Sequence, residues 1–195
     1  MAGDFALGFR VKSGFAVAVV LSGTAASPQS VARKIVLLSD PKVEETKQPY
    51  HDGFGTAQED QEEISRLTTI IRQAAKRSVA ALLAEGHLNG RRCRGAGLIV
   101  GSVIDPATVG NPHIRAHANE GRLFRTVLEE ALSDHGISTA VTVEKSLAAH
   151  APKALGRPAG QIKKVVEALG EGLDGPWRAE EKTAATAAWM VLSRR

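Results

Sequence analysis

The stretch "HIRAHANE", residues 113–120, sets His113, His117 and Glu120 at i, i+4 and i+7, on one helix face and at a spacing that can hold a zinc ion. It lacks the acid that sits between the histidines in H-E-x-x-H, and no fourth ligand can be assigned. The reading taken is a solvated first helical turn, with no metal expected. "GRRCRG" places Cys93 among Arg91, Arg92 and Arg94, surroundings that lower a thiol pKa. No histidine or acid is tied to it by spacing, so a cationic surface before a strand is expected rather than a catalytic cysteine. "GSVIDPATVGNP" has neither a Walker lysine nor G-x-G-x-x-G spacing, which leaves nucleotide binding by those devices unsupported.

The first chemistry-bearing charges lie in "LGFRVKSGFAVAVVLSG", residues 7–23, where Arg10, Lys12, Ser13 and Gly14 interrupt an apolar run. Two half-buried runs flank a turn, and the turn is cationic. Three short runs rich in Val, Leu, Ile and Phe read as consecutive antiparallel strands near 5–12, 15–22 and 30–39. The segment from 40 to 56, with its prolines, glycines and mixed charge, reads as an exposed loop.

From Thr56 the period changes. Ile64, Leu67, Ile70, Ile71, Ala74, Ala75, Val79, Leu82 and Leu83 recur three and four apart, predicting a long amphipathic helix that ends near Gly86. The acids of "EDQEE" suit its first turn. "GLIVGSVID" reads as a strand covered on both faces, and a second helix follows from about His113 to Ser133, stopped by Gly136. "STAVTVEK" gives a fifth strand. "RPAGQIKKVVEALG" is a helix begun at Pro158 and closed by Gly170. "RAEEKTAATAAWMVLSRR" is a last helix whose small face of Ala184, Ala187 and Ala188 can lie close to a sheet; Trp177 and Trp189 read as its packing residues.

The 195 residues suit one domain, residues 1–195, and no run is long and apolar enough for a membrane span. A single cysteine and an N-terminus broken by charges fit a reducing cytoplasm. The net charge of +4 is small against 25 basic and 21 acidic residues, so charge alone is a weak argument for a nucleic-acid partner. With aromatics at 4% there is also no obvious stacking platform for single strands.

Three strands, helix, strand, helix, strand and terminal helices make an α/β order: a five-stranded mixed sheet, three antiparallel strands and then parallel crossovers, flanked by helices. That order matches the ribonuclease H-like fold. "VEKSLAAHAPKALGRPAGQIKKVVEALG" resembles the part of the RuvC-type Holliday-junction resolvases where a lysine, a Gly-Arg step and a K-x-x-V helix follow the fifth strand, here Lys153, Gly156 with Arg157, and Lys164 ahead of Val165 and Val166. "LGFRVKSGFAVAVV" is similar to the family's opening strand and hairpin.

The resemblance implies a carboxylate cluster holding two divalent metals. The position similar to the family's first-strand aspartate is Arg10, with Lys12 beside it on the same face, and two cations there repel Mg²⁺. After the fourth strand the family's glutamate falls near Gly101 or Ser102, and the nearest acid is Asp105. In the last helix the family's D-x-x-D-A is similar to Glu180 and Glu181 through Ala184, with Thr183 in place of one acid.

A catalytically silent relative is therefore expected, without cofactor, binding structured DNA or RNA or a protein partner. Arg10, Lys12, Arg91, Arg92, Arg94, Lys153, Arg157, Lys163 and Lys164 are expected to form one phosphate-binding face. The competing reading is a Mg²⁺-dependent nuclease of structured DNA using Asp105 and Glu180 or Glu181, with Asp4 or Glu144 in a rearranged site. Self-association into a homodimer is a further expectation, as related resolvases dimerise.

Overall fold

The structure, a computed structural model, describes residues 3–53 and 56–194. Its centre is a five-stranded sheet in the order β3-β2-β1-β4-β5. β1 (Phe5–Lys12), β2 (Phe15–Gly23) and β3 (Pro28–Leu37) pair antiparallel, while β4 (Cys93–Val100) and β5 (Thr139–Val143) run parallel to β1. The two-residue turn between β1 and β2 needs Gly14 in the left-handed region at φ 80°. Among the described residues five α-helices cover the sheet: α1 (Gln61–Leu83), α2 (Pro112–Ser133), α3 (Glu144–Leu155), α4 (Ala159–Ala168) and α5 (Ala179–Leu192).

β1 is buried on both faces, and its alternation sorts two cores. Phe5, Leu7, Phe9 and Val11 pack with the apolar stripes of α1 and α2, and Ala6 packs with α3, α4 and α5 on the other side. α5 lies against the sheet almost without side chains between. A methyl on Gly8 would collide with the Ala184 carbonyl oxygen, and one on Gly97 would stand 2.7 Å from that of Ala187. The small-faced last helix and the packing roles of the tryptophans are as expected. Trp189 is fully buried, and its indole N–H donates to Ala25 O at 2.9 Å.

Asp60 caps α1, its carboxylate accepting from the backbone N–H groups of Glu62 and Glu63. Gly136 follows α2 at φ 69°, and Gly156 ends α3 at φ 61°, both as left-handed stops.

Three boundaries differ from the sequence expectations. β4 starts at Cys93 and ends at Val100, so "GRRCRG" belongs partly to the strand, held by the Phe5↔Cys93 register, while Val103 and Ile104 beyond it are exposed. β5 stops at Val143, because Glu144 opens α3, a helix absent from the sequence reading. The segment expected as an exposed loop from 40 to 56 is folded back in part. It holds a 3-10 turn at Glu44–Lys47, with Thr46 and Pro49 buried. Positions 54 and 55 of that segment lie outside the described residues. No described helix is long and apolar enough to cross a membrane.

Candidate functional site

β1 and β4 run parallel side by side, and their C-terminal ends open a cleft of about 280 Å³. Arg10, Lys12, Ser13, Gly101, Ser102 and His117 are among its walls. In an open sheet with parallel strands this end is where ligands bind. Arg10 cannot avoid the interior, because its strand is covered on both faces, and its side chain is only 7% exposed. Its charge is met by Glu144, the first residue of α3: Arg10 Nε donates to Oε1 at 3.0 Å and Nη2 to Oε2 at 2.5 Å. The remaining Nη1 donates to Val11 O at 2.7 Å, so each guanidinium nitrogen has an acceptor. The pair bridges β1 and the end of β5, two strand spacings or about 10 Å apart.

The other acids of the nuclease reading are dispersed. Glu180 lies 3.6 Å from Lys12 Nζ and so does border the same end of β1. Glu181 instead turns to β3, its Oε1 accepting from Arg33 Nε at 3.0 Å and its Oε2 from the Arg178 backbone N–H at 2.9 Å. Burial pushes its carboxyl up, but the Arg178 N–H and the Arg33 guanidinium outweigh that and hold it below the usual carboxylate range. Asp105 caps a short turn by accepting from Ala107 N–H at 3.1 Å. Asp4 is at the opposite end of β1, paired with Arg92 at 2.8 Å.

The expectation of one basic face needs correction, because the β1–β4 register separates its members. Cys93 pairs with Phe5 and Ile99 with Arg10, so the Arg91–Arg94 cluster lies about 16 Å from Arg10, at the other end of the sheet. There Arg91 donates to Gly3 O, Arg92 to Asp4 and Arg94 to Arg194 O. Arg157 lies over the Trp189 ring at 5.6 Å and reaches Ala26 O, also away from Arg10. Lys153, Lys163 and Lys164 are exposed on α3 and α4 and form no ion pair among the described residues. Of the three, Lys163 shares a groove with Glu144, Ala148 and Pro152, on the Arg10–Glu144 side of the molecule.

Cys93 is half-buried, and burial pushes its thiol up, against the lowering expected from its arginine neighbours. Those arginines point their charges at other acceptors instead. The first turns of α2 also differ from expectation. His117 is half exposed, but Glu120 is 1% exposed and its Oε1 lies 2.7 Å from Nδ1 of His51, a residue of the 40–56 segment to which the sequence reading gives no role. A signal is present: Ala116, Glu120, Leu123, Phe124 and Val127 share the buried stripe of α2, and a lone acid on such a stripe requires a partner.

Solved structures resemble this architecture over nearly its whole length. Thermus thermophilus RuvC superposes with a TM-score of 0.56 at 9% identity, covering 95% of this chain and 92% of that one. The chain has a RuvC-like, ribonuclease H-like fold. T. thermophilus RuvC in complex with a Holliday junction substrate gives a TM-score of 0.55 at 9% identity, over 96% of this chain and 91% of that RuvC chain. The yeast mitochondrial Holliday junction resolvase Ydc2 is more distant, with a TM-score of 0.45 at 8% identity over 96% of this chain and 79% of its own. No protein-family model matches the chain, and no curated protein matches it by sequence.

Proposed function

We propose that this RuvC-like chain is a nucleic-acid-binding module that does not cleave. The observation that carries the reading is Arg10, a buried guanidinium locked to Glu144 at the strand end where the resemblance implies a metal-binding aspartate. A pair of divalent ions needs several free carboxylate oxygens. At this cleft Glu144 is engaged by Arg10 and Glu180 stands beside Lys12. These residues do not fit a two-metal centre, and no cleavage step is derived through one. In its place the cleft holds two ion pairs, and Lys12, partly exposed and 3.6 Å from Glu180, is the cation there that can turn to a phosphate or to the backbone of a polyanion.

The exposed Lys153, Lys163 and Lys164 on α3 and α4, which have no ion-pair partner among the described residues, are the further cations this reading assigns to phosphate contact. A RuvC of the same fold is seen in complex with a Holliday junction substrate, which supports branched DNA as the first ligand to try. The test is binding of the purified chain to branched DNA, duplex DNA and duplex RNA over a salt series. Lys153→Ala, Lys163→Ala and Lys164→Ala each take one cation from the phosphate backbone, and each is expected to reduce the log–log salt slope by about 0.9. Absence of salt-sensitive binding to all three would overturn the reading and favour a protein partner. Sedimentation over a concentration series tests the accompanying expectation of a homodimer.

A further inference from the structure

The cleft does not account for the three histidines beside it. His51, from the segment after β3, meets His113 and His117 of α2, and one ring nitrogen of each lies within 4.8 Å of the others. The ring centroids are 4.5–5.2 Å apart, with His51 against both partners. His51 is held in place from three directions. Its backbone forms a bridge with Ala57, the flanking Gln58 N–H donates to Tyr50 O at 2.9 Å, and its Nδ1 contacts Glu120.

The other ring nitrogen of His51 has no such partner. The side chain is only 5% exposed, and its Nε2 is buried without a hydrogen-bond partner among the described residues. A buried polar atom of this kind costs stability unless something satisfies it. The Nε2 atoms of His113 and His117 lie 3.2 Å from each other, i and i+4 on one helix face. With Zn–N bonds of 2.0–2.1 Å and tetrahedral angles, two ligand nitrogens lie about 3.3 Å apart. Helix α2 therefore presents two imidazoles at ligand spacing, and His51 brings the third.

We infer that His51, His113 and His117 form a binding site for a divalent transition ion of the zinc class. Three imidazoles are a donor set suited to zinc rather than to Mg²⁺ or Ca²⁺, which take oxygen ligands. Glu120 supplies the carboxylate behind a metal-bound histidine: bonded to Nδ1 of His51, it fixes the ring so that Nε2 faces the other two. That explains why a glutamate is buried on the apolar stripe of α2. Neither His113 nor His117 is buried, so the fourth position is open to water or to a ligand from outside. His117 is also a wall residue of the Arg10 cleft, and the ion would stand at the edge of the surface proposed to meet phosphate. The site draws on no residue of the carboxylate cluster that the fold's resemblance implies.

The test uses the untagged full chain, stripped with a chelator and titrated with Zn²⁺ in competition with a chromogenic chelator. One equivalent per chain is expected. His113→Ala and His117→Ala are each expected to weaken binding by about 100-fold or more, and Glu120→Gln by about 10–100-fold. Co²⁺ is expected to give the visible absorption of a four-coordinate centre, lost in the two histidine variants. Circular dichroism of the variants separates loss of the site from loss of the fold, since both substituted histidines are outside the core. Failure of the parent chain to take up one equivalent, or equal affinity in the His113→Ala/His117→Ala double variant, would overturn the assignment. Neither result depends on whether the chain binds nucleic acid.

Discussion

Arg10 and Glu144, 134 residues apart in the chain, are joined by two N–H···O bonds that tie the end of β1 to the start of α3. One partner is buried and the other is half exposed, with side chains 7% and 47% accessible. Such a pair lies between the weak surface ion pair and the fully buried one. A double-mutant cycle with Arg10→Met and Glu144→Gln is expected to give a coupling of about 1–2 kcal/mol in denaturant unfolding. Additive effects would mean that the two side chains do not act as a unit.

Gly8 is a point of close backbone approach between β1 and α5. Its added methyl would meet backbone atoms of Ala184 and Ala188, which cannot swing aside as the end of a side chain can. Gly8→Ala is therefore expected to lower unfolding stability by about 3 kcal/mol. Gly121 in the middle of α2 has open space at the same position and serves as the contrast. There the change to alanine is expected to stabilise by about 1 kcal/mol through helix propensity. Equal effects at the two glycines would contradict the close approach of α5.

Glu181 gives the acid limb of stability a specific origin. Although burial raises its carboxyl, the Arg178 N–H and Arg33 guanidinium win, and the folded value lies below the unfolded one, about 4.3. A depressed folded pKa stabilises the native state fully above the unfolded value, and that stabilisation is lost as pH falls through the folded value. The Glu181→Gln variant is expected to be less stable than the parent near neutrality, with the difference shrinking as the pH drops below about 4. A difference that is constant across the acid range would remove Glu181 from this role.

Much of the scaffold is legible in the sequence because its elements are strongly patterned. The stripe from Ile64 to Leu82 and the small face of α5 each dictate one arrangement, and the order of strands and helices implies the fold that the RuvC comparison supports. α3 is not legible, because "VEKSLAAHAPKALG" carries Pro152 inside it and follows its strand with no intervening turn residue. The site is less legible still, since its pairings are long-range. Glu144 reads from sequence as a possible metal ligand, and only the fold brings it to Arg10. Glu120 reads as a solvated acid until His51, 69 residues earlier, is placed against it. The nine basic residues do not make one face, because the parallel β1–β4 register puts Arg91, Arg92 and Arg94 at the far end from Arg10.

The most direct measurement of the central claim is a cleavage assay on branched DNA with the purified chain, in Mg²⁺ and separately in Mn²⁺, under salt conditions where binding is saturated. Intact substrate with the complex retained is the expected result, because Glu144 and Glu180 are paired with Arg10 and Lys12 and are not free to hold metal ions in the cleft. Metal-dependent strand scission that disappears in the Glu144→Gln or Glu180→Gln variant would contradict the account and make this cleft a nuclease centre.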